Sequence, residues 1–206
     1  MNPTQTYDLN DGHRLPVIGF GTYPLRGAEG VAAMVSAIEA GYRLIDSAVN
    51  YENEVEVGDA VRASGLDRAD LLVTTKVPGR FHARDLAVAS VEDSLRRMQL
   101  DVLDLVLIHW PNPGRDLYVE AWEGLIACRE RGLIRSIGVS NFTAAHLDRI
   151  ITATGVTPAV NQVEIHPRFP QDDLVAVHER LGIVTESWSP LGKGSVDLDA
   201  EPIAAA

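Results

Sequence analysis

Leu103-Asp104-Leu105-Val106-Leu107-Ile108-His109 is the stretch that decides the fold. It is an apolar run with one charge and no polar alternation. Such a run predicts a strand buried on both faces, as in a parallel sheet, and a histidine stands where it ends. Working outward, the pattern recurs at Val17–Phe20, Arg43–Ile45, Leu71–Thr75, Ile134–Val139, Ala159–Val163 and Ile183–Thr185. Helical stretches lie between these runs, for example Ala28–Ala40, Val55–Ala63, Arg84–Met98, Leu117–Arg131 and Thr143–Thr152. Within the third of these, Val88, Val91, Leu95 and Met98 share one helical face, with charges opposite. Gly41, Gly65, Gly132, Gly155 and Gly182 each follow a helical segment, where a left-handed cap favours glycine. Alternation at about 25–30 residues per unit means a parallel α/β sheet. The segment before the first unit predicts a small hairpin turning at Asp11-Gly12.

Two architectures fit this alternation, a doubly wound open sheet and a (β/α)8 barrel. An open dinucleotide-binding sheet calls for G-x-G-x-x-G after its first strand. Here Gly19-Phe20-Gly21 is followed by Thr22-Tyr23-Pro24, so the third glycine is missing and no helix begins there. A barrel instead places reactive polar residues at the C-terminal ends of many strands. Asp46 ends Leu44-Ile45, Lys76 ends the run to Thr75, and His109 ends the run to Ile108. Ser140 and Asn141 follow Val139, Gln162 lies in the sixth run, and Ser187-Trp188-Ser189 follows the seventh. Taken singly, each has a plain alternative. Asp46-Ser47 would cap a turn, Lys76 would snorkel, and His109 would be a hydrogen-bonded core imidazole. On consecutive strands of one barrel they converge on one mouth.

These residues carry a resemblance to a known family. Gly41-Tyr42-Arg43-Leu44-Ile45-Asp46-Ser47-Ala48, with Tyr51-Glu52-Asn53-Glu54 and Gly58, resembles the first aldo-keto reductase signature, and Leu133 through Phe142 resembles the second. Asn161-Gln162-Val163-Glu164 and Glu186 through Gly192 also resemble this family, particularly its bacterial diketogluconate-reducing members. The resemblance runs from about Leu15 to Gly194. It implies reduction of aldehydes or ketones with NADPH, NADH remaining open. It also implies Tyr51 as general acid, supported by Asp46, Lys76 and His109. The chemistry agrees: a free phenol is a weak acid at neutral pH. A lysine cation beside it favours the phenolate and is expected to lower its pKa. Asp46 would hold Lys76, and His109 would donate to the substrate oxygen. The resemblance assigns nicotinamide stacking to Trp188, carboxamide contacts to Ser140, Asn141 and Gln162, and further cofactor contacts to Thr22, Ser189, Leu191 and Gly192. Tyr23, Phe81 and Trp110, on loops after strands, are the expected substrate wall.

Other features narrow the class. A formal net charge of −11 and an isoelectric point near 4.9 speak against nucleic acid as a partner. The first residues lack the basic and apolar regions of a signal peptide, and no apolar run is long enough to span a bilayer, so a cytoplasmic location is expected. A monomer is expected as well. Cys128, the only cysteine, reads as a packing residue. Leu191-Gly192-Lys193-Gly194-Ser195 is a superficial phosphate-loop look-alike, with no glycine at 187 and a glycine after the lysine. Glu164 and His166 form no metal site with a third ligand, and no metal is expected. His13, His82, His146 and His178 are expected at the surface or at caps.

The 206 residues are expected to form a single barrel domain that is C-terminally truncated. Seven strands are countable, and the run from Ser195 predicts the opening of a helix; the eighth strand and final helices are not found. By resemblance, the absent part holds the grip on the adenosine 2′-phosphate. Alternatives to the enzyme are an inactive fragment, a cofactor-binding interaction protein of the same family, and a Schiff-base aldolase using Lys76.

Overall fold

The computed structural model describes residues 5–192. The predicted Ser195 helix and the 193–195 part of the phosphate-loop look-alike lie outside the described residues. A two-stranded antiparallel hairpin comes first, β1 (Thr6–Asp8) and β2 (Arg14–Pro16), turning through Gly12 at φ +88°. Seven parallel strands follow in sequential order: β3 (Gly19–Gly21), β4 (Leu44–Asp46), β5 (Leu72–Val77), β6 (Leu103–Ile108), β7 (Ile134–Ser140), β8 (Val160–Glu164) and β9 (Val184–Trp188). Between them run α1 (Gly27–Glu39), α2 (Glu54–Ala63), α3 (Arg84–Met98), α4 (Tyr118–Glu130), α5 (Ala144–Thr154) and α6 (Asp172–Leu181). A parallel sheet in sequence order must curl, because each strand adds the same right-handed twist and each crossover lies on the same side. The result is a curled α/β half-barrel of seven strands among the described residues, helices outside.

Strand side chains alternate between two cores. Val106 and Ile108 of β6 join Val73, Ile137, Val139, Val91 and Trp122 in the outer core between sheet and helices. Leu105 and Leu107 of the same strand join Leu44 and Val160 inside the barrel, with Leu9 and Leu15 of the hairpin. The hairpin therefore plugs the end where the strands begin, and Asn10 Nδ2 ties it to Pro158 O at 2.9 Å. That leaves the other end, where the strands finish, for chemistry.

Close packing of α2 against α3 depends on a glycine. A Cβ on Gly58 of α2 would lie 2.0 Å from the carbonyl oxygen of Met98, so α2 meets the end of α3 only because position 58 has no side chain. The glycine caps behave as read: Gly155 and Gly182 close α5 and α6 at φ +71° and +66°. Cys128 is fully buried in α4, and burial pushes its thiol up to about 11, which suits packing and not reactivity.

One of the four scattered histidines departs from expectation. His13 is exposed, His146 takes part in the capping box at Thr143, and His82 is the C-cap of the 3-10 turn Gly79–Phe81, though fully buried. His178, however, is fully buried within α6. His178 Nε2 lies 2.8 Å from Asn161 Nδ2, whose amide also donates to Phe142 O, so Nε2 accepts. Nδ1 then donates to Thr185 Oγ1 at 2.8 Å. This neutral ring pins α6 to β8 and β9, a role that sequence spacing does not reveal.

Candidate active site

Tyr51 sits in a single 3-10 turn, Val49–Tyr51, just past β4. The turn is held from below by Asn53, which is wholly buried. Its side-chain amide donates to Thr22 O at 3.0 Å and Leu25 O at 2.9 Å, and its Oδ1 accepts from Ser47 Oγ at 2.7 Å. One side chain thus ties the loop after β3 to the loop after β4 that carries the phenol. Asn53→Ala should cost about 3 kcal/mol of stability, since buried partners are left unmet. Urea unfolding reads this; a loss under about 1 kcal/mol would mean the network is not a tie.

Lys76 extends from β5 into the barrel and is almost completely buried. Its Nζ donates to both oxygens of Asp46, at 2.6 and 2.7 Å, and to Ser47 O at 2.9 Å. Burial opposes the charge, but the Asp46 carboxylate and the neighbouring Tyr51 outweigh it, and the lysine is held above its ordinary value. Lys76 Nζ is also 5.3 Å from the Tyr51 ring centre. The expectation for the phenol needs correcting here. Lys76 does pull its pKa down, but burial raises it by more, and the net direction is upward. A desolvated phenolate is costlier than the sequence argument allowed for.

His109 follows β6, its ring edge-on to Tyr51 with centres 6.0 Å apart. Burial, with Lys76 adding repulsion, lowers its pKa to about 4, so the imidazole is neutral at pH 7. Asp46, Tyr51, Lys76 and His109 are therefore gathered on three adjacent strand ends.

The expected cofactor residues divide in three sets. Ser140, Asn141, Gln162 and Trp188 form one chain of hydrogen bonds across β7, β8 and β9. Trp188 Nε1 donates to Asn141 Oδ1 at 2.9 Å, Asn141 Nδ2 donates to Ser140 Oγ and His109 O, and Ser140 Oγ donates to Gln162 O. Ser189, at φ +49°, accepts from Gly192 N at 2.8 Å, closing a tight turn after β9 from which Leu191 projects into solvent. Thr22 is different. It is fully buried, and its hydroxyl donates to Asp46 O.

Of the expected substrate wall, Tyr23 is 69% exposed and packs 5.2 Å from the Tyr51 ring, and Trp110 is 48% exposed beside His109. Phe81 is half-buried, packed on the outer core with Arg80 over its ring. Glu164 and His166 approach to 3.6 Å, and no group of three metal-ligating side chains occurs among the described residues. A cavity of about 640 Å³ at the opposite end of the barrel, lined by Leu15, Arg43, Asp104 and Ser136, holds none of the residues gathered at the mouth.

Glu186 was not singled out by sequence. It lies on β9, two residues before Trp188, and period-2 alternation puts both side chains on the interior face.

Comparison with known proteins agrees with this geometry. Residues 17–203 match the Aldo/keto reductase family. The chain is 61% identical over 190 residues to 2,5-diketo-D-gluconic acid reductase B of Corynebacterium sp. (strain SHS752001), covering 92% of this chain and 69% of that protein. Among solved structures, an aldo/keto reductase from Brucella melitensis superposes with a TM-score of 0.90 at 44% identity, covering 96% of this chain and 76% of the other. A Bombyx mori aldo-keto reductase in complex with NADP superposes at 0.82 with 39% identity, covering 90% and 66%. With this fold, these residues at the mouth and these relatives, the chain belongs to the aldo/keto reductase family of oxidoreductase enzymes.

Proposed function

We propose that this chain reduces small aldehydes or ketones to alcohols with NADPH, Tyr51 giving the proton. The observation that carries this reading is the phenol of Tyr51 beside a buried Lys76–Asp46 pair, with neutral His109 against its edge. The residues suit a nicotinamide cofactor. Trp188 has its indole N–H fixed by Asn141, which sets the plane of the ring and offers a face for stacking. Ser140, Asn141 and Gln162 supply the polar groups for a carboxamide, and the turn from Ser189 to Gly192 would meet the pyrophosphate. When bound, the cofactor supplies the hydride.

The chain's own residues do the rest. His109, uncharged, donates an N–H to the carbonyl oxygen and orients it towards Tyr51. Tyr51 passes its proton to that oxygen as negative charge develops there. Lys76 offsets the charge left on the phenol oxygen, and Asp46 keeps the ammonium in place. Burial keeps the phenol protonated until the substrate draws the proton away. Tyr23 and Trp110 wall the approach, with Phe81 behind them. The reading carries with it a monomeric cytoplasmic enzyme; the one buried cysteine forms no internal disulfide. NADPH, by analogy with the NADP-bound relative, is preferred to NADH.

The test is NADPH consumption against a panel of aldehydes together with 2,5-diketo-D-gluconate, the substrate in the name of the similar Corynebacterium reductase. Carbonyl-dependent oxidation of NADPH is expected. Binding of NADPH without turnover of any carbonyl would reject the reading in favour of a cofactor-binding role.

A further inference from the structure

Glu186 is a half-buried acid that the proposed reaction leaves unused. It pairs in register with Gln162 of β8, whose side-chain amide favours its charged form. Its Oε2 is shut off from solvent and has no hydrogen-bond partner among the described residues. Asp46 and Lys76 both lie within electrostatic reach of it. The Lys76 ammonium has three hydrogens, and the two Asp46 oxygens and Ser47 O already take them. An ionised Glu186 would therefore be a second anion on one cation, with one oxygen neither solvated nor bonded. Asp46 is held by Lys76 through both its oxygens, so Glu186 is the carboxyl with the poorer hold on its charge.

We propose that Glu186 is a positioning residue for the Tyr51–Lys76 pair: a second interior carboxyl that carries a proton while the site is active and, on losing it, adds a negative charge beside Lys76 that weakens Tyr51 as an acid. This rests on the reading of Tyr51 as the proton donor. Burial foremost, then repulsion from Asp46, pushes the Glu186 carboxyl up to about 7, with Lys76 and Gln162 pulling the other way. The groups facing it are Asp46 of β4, Lys76 of β5 and Gln162 of β8; His109 of β6 is neutral across this range. With Glu186 ionised, part of the ammonium's pull goes to the new anion, and charge building on the Tyr51 oxygen is less well offset. Turnover should then fall as pH rises through neutrality, without a matching change in KM.

The composition makes this directly visible, because lysine occurs only at 76 and 193. With lysine labelled by ¹⁵N, the full chain gives two Nζ signals, and Lys193→Arg assigns them. In the wild type the Lys76 signal should move with a midpoint of about 7, and the infrared stretch of a protonated carboxyl should fade over the same range. In Glu186→Gln both changes should be absent, and the several-fold fall in kcat from pH about 6 to about 8 should flatten. The variant is the control. A Lys76 signal that is flat in the wild type, or that still titrates in Glu186→Gln, would overturn the proposal, as would identical kcat profiles. If Glu186→Gln does not fold, the wild-type signals decide alone. Neither spectrum depends on turnover, so an inactive chain or an active Tyr51→Phe would count against the tyrosine reading and leave the Glu186 titration readable.

Discussion

Tyr51→Phe is expected to lower the turnover of carbonyl reduction by about a hundred- to ten-thousand-fold, the range for a lost general acid. The substitution removes one oxygen and keeps the ring. Contacts of the ring with Tyr23 at 5.2 Å, His109 at 6.0 Å and the Lys76 ammonium at 5.3 Å all persist in kind. The Lys76–Asp46 pair does not depend on the phenol oxygen, since Nζ is bound to both Asp46 oxygens and Ser47 O. Cofactor affinity, read by quenching of Trp188 fluorescence, should therefore stay within about twofold. This makes it a sharper probe than Lys76→Met, which strands a buried carboxylate and costs about 3–5 kcal/mol of stability before any chemistry is read. Near-normal turnover in Tyr51→Phe would remove the phenol from the mechanism.

The fold was legible wherever strand interiors are apolar. β6 spans Leu103–Ile108 and α3 spans Arg84–Met98, the limits read from hydropathy and periodicity. Limits fail where polar side chains enter the barrel. β5 runs to Val77, past the point where Thr75 and Lys76 end the apolar run, and β9 runs through Glu186 and Ser187 to Trp188. The mouth is built from the polar ends of strands, so the residues that matter most are the ones that disguise the strand ends.

Placement of the four reactive residues was legible because parallel strands bring their C-terminal ends to one side, whatever the loops do. The energetic balance among them was not. Whether Lys76 or burial governs Tyr51 depends on how many protein atoms exclude water from the phenol, a property of packing with no mark in the sequence. Thr22 is a similar case. Its hydroxyl ties the end of β3 to the Asp46 carbonyl oxygen, a partner that sequence spacing does not announce. Asn53 and Glu186 lie within quoted motifs, yet motif membership does not separate residues that touch substrate from those that hold the ones that do.

Acid should unfold this protein early, between pH about 6 and about 4, and the cause is its buried histidines. His82, His109 and His178 are each lowered from 6.5 to about 4, with burial the leading cause. Between those values the unfolded chain holds a proton on each that the folded chain does not, so stability is complete above about 6.5 and is lost as pH falls. Glu186 acts oppositely. Raised from 4.5 to about 7, it carries a proton in the folded chain that the unfolded one lacks, and it adds stability as pH falls through that window. The histidines outnumber it, leaving a net excess of about two protons on the unfolded chain and a slope on the order of 3 kcal/mol per pH unit. Against a typical reserve of about 5–15 kcal/mol, one or two pH units suffice. The three rings are not equivalent. Protonating His178 sets an N–H against the Asn161 amide, which already donates to it, whereas neither His82 nitrogen has a partner among the described residues and Arg115 adds repulsion. His82→Leu should therefore keep its packing, lose only the cost of charging, and make the pH dependence shallower by roughly 1.4 kcal/mol per unit. Urea midpoints measured from pH about 7 down to about 4.5 test this; parallel curves for wild type and His82→Leu would mean His82 is not charged on unfolding.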